Sequence, residues 1–218
     1  MSKAFNRIGR EIEIAVKAGG PDPKGNPRLR LAIQNAKSVN MPKDRVEAAI
    51  KRASQKDTSG YQETIYEGYA PHGIAVLVEC ATDNSTRTVA NIRHIFSHNG
   101  GSLASSGAIA FMFERKALFK IPAERVKDVD VFELEMIDHG LDELVQEGTE
   151  LYLYTSFQDF GKIQKALEER GVEATSTELQ FIPTTTKELP DAQVAEVQVL
   201  LDQLEEDDDV QSVFHTLH

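Results

Sequence analysis

The 218-residue sequence predicts an α+β fold, with an N-terminal three-helix bundle followed by two ferredoxin-like α/β modules, the second inserted into the first. Three observations carry this. The first 60 residues show helical period throughout, apolar β-branched runs alternate with helical stretches from Thr64 onward, and the middle and C-terminal elements count as β-α-β-β-α-β, the split βαβ order. The expected division is a basic helical domain at 1–60, a middle α/β domain at 61–128 plus 188–218, and an inserted acidic α/β domain at 129–187.

In the first helix Phe5, Ile8, Ile12 and Ala15 form an apolar stripe that stops at Gly19-Gly20-Pro21, where glycine supplies a left-handed cap and proline blocks continuation. Asn26 is a natural N-cap with Pro27 in the first helical position, and Leu29, Ala32, Ile33 and Ala36 carry the second stripe to about Asn40. Pro42 opens a third helix with Val46, Ala49, Ile50 and Ala53 inward. Ile65, Tyr66 and Tyr69 precede a turn at Pro71-His72-Gly73, and Ile74 to Cys80 is an apolar run, so a strand pair is expected. Asp83 or Asn84 caps a helix to Asn99, closed by Gly100-Gly101, and Ala108–Phe113 and Ala117–Ile121 read as two strands. A helix at 131–139, strands near 142–147 and 149–155, a helix at 158–170 and a strand at 175–182 follow. Pro190-Asp191 opens the last helix, with Val194, Val197, Leu200, Leu201 and Leu204 inward, and Val210–Leu217 is a final strand. The β-α-β-β-α-β count requires this last helix and strand to return to the middle module; two modules in series are the alternative.

Charge is distributed unevenly. Residues 1–60 hold 13 Lys/Arg against 6 Asp/Glu, residues 61–130 hold 7 against 8, and residues 131–218 hold 4 against 21, for a net charge of −11. A compact basic segment is the usual footprint of contact with phosphate. No apolar run approaches the roughly 20 residues that span a bilayer, and Met1 to Phe5 lacks the features of a secretory signal, so a cytoplasmic protein without membrane contact is expected. Cys80 is the only cysteine and lies inside an apolar run, which excludes an intrachain disulfide and predicts a buried, inert thiol.

Signatures of catalysis are missing from the sequence. It has no phosphate-binding P-loop, no dinucleotide-binding G-x-G-x-x-G, no G-x-S-x-G elbow and no H-E-x-x-H. His94 and His98 stand at i, i+4, but Ile95 occupies the place of a zinc protease's general base. The acidic run Glu205 to Asp209 lacks the spacing and glycine of a calcium loop and reads as a solvated helix end. The expectation is a protein that is not an enzyme, with no cofactor, no metal and no small-molecule substrate.

Two regions suit nucleic acid. In the basic head, Lys3, Arg7 and Arg10 open the first helix, Arg28 and Arg30 flank the start of the second, and Lys43, Arg45, Lys51 and Arg52 lie on the third, with Arg45, Arg52 and Lys56 at i, i+7, i+11. Such groups neutralise phosphates without reading bases, which predicts salt-sensitive binding of low sequence specificity. In the helix at 84–99, Arg87, Asn91, His94 and His98 fall within an arc of about 60° opposite Val89, Ile92 and Phe96, and Arg93 is a further candidate on the same helix. The loop from Gly100 to Gly107, with three serines and three glycines, has a composition that can bring backbone N–H groups to a phosphate.

Several runs resemble the YebC family: Arg10-Glu11-Ile12, the run from Gly19 to Arg30, Asn40-Met41-Pro42-Lys43-Asp44, Ala49 to Arg52, Tyr66-Glu67-Gly68-Tyr69-Ala70-Pro71, Thr82-Asp83-Asn84, Arg87-Thr88, Arg93-His94 with Phe96, Asn99-Gly100-Gly101, Asp209-Val210 and Val213-Phe214-His215. The resemblance implies three domains, with the C-terminal segment returning to the middle one, and a non-enzymatic regulator of gene expression. Bacterial relatives are described as probable transcriptional regulators that bind DNA, and bacterial members have also been linked to ribosome function. The mitochondrial relative is described as a translational activator of cytochrome c oxidase subunit I. Typical members begin about 20 residues earlier, with a basic arm of the form G-H-S-K-W, which makes the head's charge here a lower bound if the arm belongs to it. The leading expectation is a DNA-binding transcriptional regulator whose basic bundle faces phosphate. The alternatives are a ribosome-associated translation factor contacting ribosomal RNA, and a protein adaptor with no nucleic-acid role.

Overall fold

The computed structural model describes residues 3–55 and 60–218. Helices α1 (Lys3–Gly19), α2 (Pro27–Ser38) and α3 (Lys43–Ala53) form the bundle. Their stripes meet in one core in which Ile12, Ala15, Leu29 and Ala36 are fully buried. The connection between α1 and α2 is locked by Asn26, which accepts from the Leu29 N–H at 3.0 Å and donates to the carbonyls of Ala15 at 2.7 Å and Gly20 at 2.9 Å. Its amide fills the space a side chain at Gly19 would need, since a Cβ there would lie 2.8 Å from Nδ2.

Two four-stranded antiparallel sheets follow. The first has the order β3-β1-β2-β8, from β1 (Gln62–Ala70), β2 (Ile74–Thr82), β3 (Ser102–Leu103) and β8 (Val210–His215). Helices α4 (Ser85–His98) and α7 (Asp191–Glu206) cover one face through Ile92, Phe96, Val197, Leu200 and Leu204. β8 pairs with β2, Val78 opposite Val213, so the C-terminal segment does return and the arrangement in series is excluded. The second sheet has the order β5-β6-β4-β7, from β4 (Phe113–Pro122), β5 (Leu141–Glu147), β6 (Glu150–Ser156) and β7 (Ser176–Pro183), under helices α5 (Val129–Ile137) and α6 (Phe160–Glu169).

The element order departs from expectation in one respect. The complete β-α-β-β-α-β unit runs from β4 to β7 in the second sheet, while the first sheet is built as β-β-α-β, then, after the inserted unit, α-β. The strand expected at 117–121 therefore belongs to the second sheet, where β4 lies between β6 and β7. Apolar alternation marks a strand but not its partners. The segment 108–112 is a loop with a 3-10 turn at Ala110–Met112, because a buried carboxylate holds its N–H groups, and Phe113 is the first residue of β4. Ala75, Leu77, Ile109 and Phe113 form a small core there, packed against Phe181 and Phe214, whose rings meet edge to face at 5.5 Å. The bundle also touches the second sheet, where the Asn35 amide donates to the Thr177 carbonyl at 2.9 Å and accepts from its N–H at 3.3 Å.

Candidate nucleic-acid interface

The predicted cations separate into two groups. Those of α1 reach the backbone of the 205–210 segment, Lys3 at the exposed edge and Arg7 and Arg10 half-buried. Lys3 Nζ donates to the Glu205 carbonyl at 3.4 Å, and Arg7 donates to the carbonyls of Glu205 at 3.0 Å and Val210 at 3.1 Å. Arg10 donates to the carbonyls of Asp208 and Ala81, lies 3.7 Å from the Asp209 carboxylate, and stacks its guanidinium over Tyr61 at 5.0 Å. These contacts tie the N-terminal helix to the C-terminal end of α7, where unsatisfied carbonyls and the helix dipole favour positive charge.

Arg87, at the start of α4, joins the same cluster. It donates to Asp83 at 3.0 Å and to both oxygens of Asp209 at 3.1 and 2.8 Å. Asp209 is buried, and the Thr88 hydroxyl donates to it at 2.8 Å. Burial would raise the Asp209 carboxyl, but the hydrogen bonds from Arg87 and Thr88 and the charges of Arg87 and Arg10 outweigh it and hold the group below the usual carboxylate range. Runs that carry the family resemblance, far apart in the chain, therefore meet at one point. Arg10, Tyr61, Asp83, Arg87, Asn91 and the turn 207–209 line an open cavity of about 430 Å³. Reading the whole acidic run as a solvated end is correct for Glu205 and Glu206 but wrong for Asp209, the central acceptor of the cluster.

Arg28 and Arg30 also have partners. Arg28 forms a two-pronged pair with Glu63, and Arg30 donates to the carbonyls of Pro23 at 3.0 Å and Lys24 at 2.9 Å, closing the loop before α2. On α3 the cations face outward. The Lys43 side chain is 89% exposed, with Glu47 at 3.5 Å one turn away, and Lys51 is exposed. Arg45 lies over the Phe5 ring at 5.8 Å and Arg52, 61% exposed, pairs with Glu13 at 3.0 Å. Lys56, the next member of that row, lies outside the described residues.

On α4, capped by Asn84 accepting from the Arg87 N–H at 3.0 Å, the outer face is exposed at Arg93, His94 and His98, and the two imidazoles stack at 5.6 Å. Among the described residues, no three His, Cys, Asp or Glu are grouped so as to hold a metal ion. Cys80 is buried, and its thiol is pushed up to about 12, first by burial and then by Asp207, Asp209 and Glu79.

The Gly100–Gly107 loop differs from expectation. The N–H groups of Gly107, Ile109 and Ala110 all donate to the Glu67 carboxylate, at 2.5, 2.8 and 3.0 Å. Burial raises this carboxyl, and these donors outweigh it to leave it below its ordinary range. An anion cradle does form, but from Gly107 at the end of the loop and the turn that follows it, and the anion is the chain's own. Gly68 is required beside it, since a Cβ would lie 2.6 Å from Phe96 and 2.9 Å from the Ser102 carbonyl.

Comparison with known proteins agrees with this architecture. Residues 1–56 match the model of the TACO1/YebC protein N-terminal domain, and residues 61–217 match that of the TACO1/YebC second and third domain. A probable transcriptional regulatory protein of Flavobacterium psychrophilum is 51% identical over 217 residues, which is 100% of this chain and 92% of that protein. One from Cytophaga hutchinsonii is 52% identical over 217 residues, 100% of this chain and 91% of the relative. The crystal structure of a conserved hypothetical protein from Aquifex aeolicus superposes with a TM-score of 0.86 at 38% identity, covering 99% of this chain and 89% of that one. The chain belongs to the TACO1/YebC family.

Proposed function

We propose that this protein is a regulator of gene expression that binds nucleic acid, DNA in the first instance, through the outward cations of its helical head. The observation that carries this is the sorting of charge in the bundle. After Lys3, Arg7 and Arg10 of α1 have met the 205–210 segment, Lys43 and Lys51 of α3 still present charge to solvent. Exposed lysines and arginines on one short helix neutralise phosphate without reading bases. The printed names of the bacterial relatives, probable transcriptional regulatory proteins, support the regulatory part of this reading. Arg93, His94 and His98 form a second outward group, exposed on α4, in which the two imidazoles stack on each other. In this reading the protein is not an enzyme, acts in the cytoplasm, and consists of a head, a middle module built on the first sheet and an inserted module built on the second.

Electrophoretic mobility of duplex DNA and of a structured RNA, across a salt series, tests the proposal. Binding to DNA with an affinity that falls steeply with salt is expected. Absence of binding to DNA at low ionic strength overturns it, and binding confined to RNA moves the function to translation.

A further inference from the structure

Helix α5 is apolar on both sides. Phe132 and Met136 face the core of the second module, yet Val131, Leu134 and Ile137 are 51%, 67% and 51% exposed. These three account for a third of the nine large hydrophobic side chains exposed among the described residues, and they sit on one helix of nine residues. At 100° per residue they fill an arc of about 120° centred on Leu134. An inward face alone would anchor the helix, and polar residues would serve as well outside, so the outer stripe is not needed for folding.

The rim of the stripe is acidic. Asp130 and Asp138 fall at its two ends, and Glu133 and Glu135 at about 100° on either side of Leu134. Arg170 covers part of this charge through Glu135, at 3.0 Å, while Asp130 and Asp138 are exposed. The surrounding chain deepens the field, since residues 131–218 hold 4 Lys/Arg against 21 Asp/Glu. A second copy of this chain is a poor occupant, because α5 packed on α5 would set these carboxylates against their own kind.

We propose that the outer face of α5 docks a basic amphipathic helix of a partner protein, whose apolar row seats on Val131, Leu134 and Ile137 and whose flanking lysines or arginines meet Asp130, Glu133 and Asp138. Apolar anchors supply the affinity and the acidic rim sets orientation and selectivity. The surface is independent of the nucleic-acid reading, as it lies on the inserted module.

The test uses the full chain and a fluorescein-labelled helical peptide of about 18 residues with leucines on one face flanked by lysines and arginines. A peptide of the same composition in scrambled order is the control. Fluorescence anisotropy should show saturable binding of the amphipathic peptide and at least tenfold weaker binding of the scrambled one. Leu134→Ser with Ile137→Ser should weaken binding at least tenfold, and Asp130→Asn with Asp138→Asn several-fold at low salt. Circular dichroism checks that the helix persists, and Val131→Thr, β-branched like the residue it replaces, reads the same surface if the serine pair disturbs the core. Equal binding of both peptides, or binding unchanged in the serine and threonine variants, overturns the proposal. So does concentration-dependent dimerisation abolished by Leu134→Ser, which would make the occupant a second copy.

Discussion

In α1, Lys3, Arg7 and Arg10 end on the carbonyls of Glu205, Asp208 and Val210, whereas in α3 Lys43 and Lys51 hold their ammonium groups out in solvent. The two helices pack side by side in one bundle and contribute alike to its positive charge. What separates them is the neighbour. α1 runs past the end of α7, where free carbonyls and carboxylates collect, and α3 faces water. Counting charges in a sequence measures how much cation a segment has, and only the fold determines how much of it remains for a ligand.

The sharpest way to break this comparison is at Asp209. Asp209→Ala removes the acceptor shared by Arg10, Arg87 and Thr88 and leaves cations in a cluster built around a carboxylate. A loss of about 3 kcal/mol is expected in urea unfolding. A loss below about 1 kcal/mol would mean that the Asp209 carboxylate adds little to the backbone carbonyls that hold α1.

The next largest effect is a gain. Glu11, on α1, is pushed up to about 7, first by burial, with Arg28 opposing and Glu178, Glu63 and Glu79 reinforcing. Its folded carboxyl therefore binds a proton more tightly than its unfolded one, near 4.5, so the group's contribution to stability is complete below about pH 4.5 and is lost as pH rises through about 7. Glu11→Gln should remove that fall and stabilise the protein at pH 8 by about 2 kcal/mol, measured as urea midpoints from pH 5 to 8. An unchanged pH profile would place Glu11 in contact with water.

Much of the fold was legible because its signals are local. Asn26 and Asn84 lie next to the helices they cap, and the stripes of the bundle and of α7 sit at helical spacing. The site was less legible because its determinants are distant in sequence. Glu67 closes a loop 40 residues on, and Asp209 reaches back to Arg10 and Arg87 from within a run of acids that looks uniformly solvated. Neither pairing leaves a local trace. The sheet that takes β4 was hidden for a related reason, since strands of both modules have the same alternation.

The smallest effects on stability divide α1 from α3 most cleanly. Arg7→Gln removes two charge-assisted bonds to carbonyls and should cost about 1 kcal/mol, while leaving the salt dependence of nucleic-acid binding as it was. Lys43→Gln with Lys51→Gln should do the reverse. Both side chains are exposed, and the ion pair that these changes remove, Lys43 with Glu47, is a surface pair one turn apart. Stability should therefore stay within about 0.5 kcal/mol. If both ammonium groups meet phosphate, the slope of log affinity against log salt should shrink by nearly 2, close to 0.9 for each phosphate of duplex DNA that is no longer neutralised. The same slope in the double variant and the wild type would remove α3 from the interface and leave the outward face of α4 to meet the nucleic acid. If the slope changed with Arg7→Gln instead, the ties to α7 would have to open when nucleic acid binds, and the contrast between the two helices would hold only for the free protein.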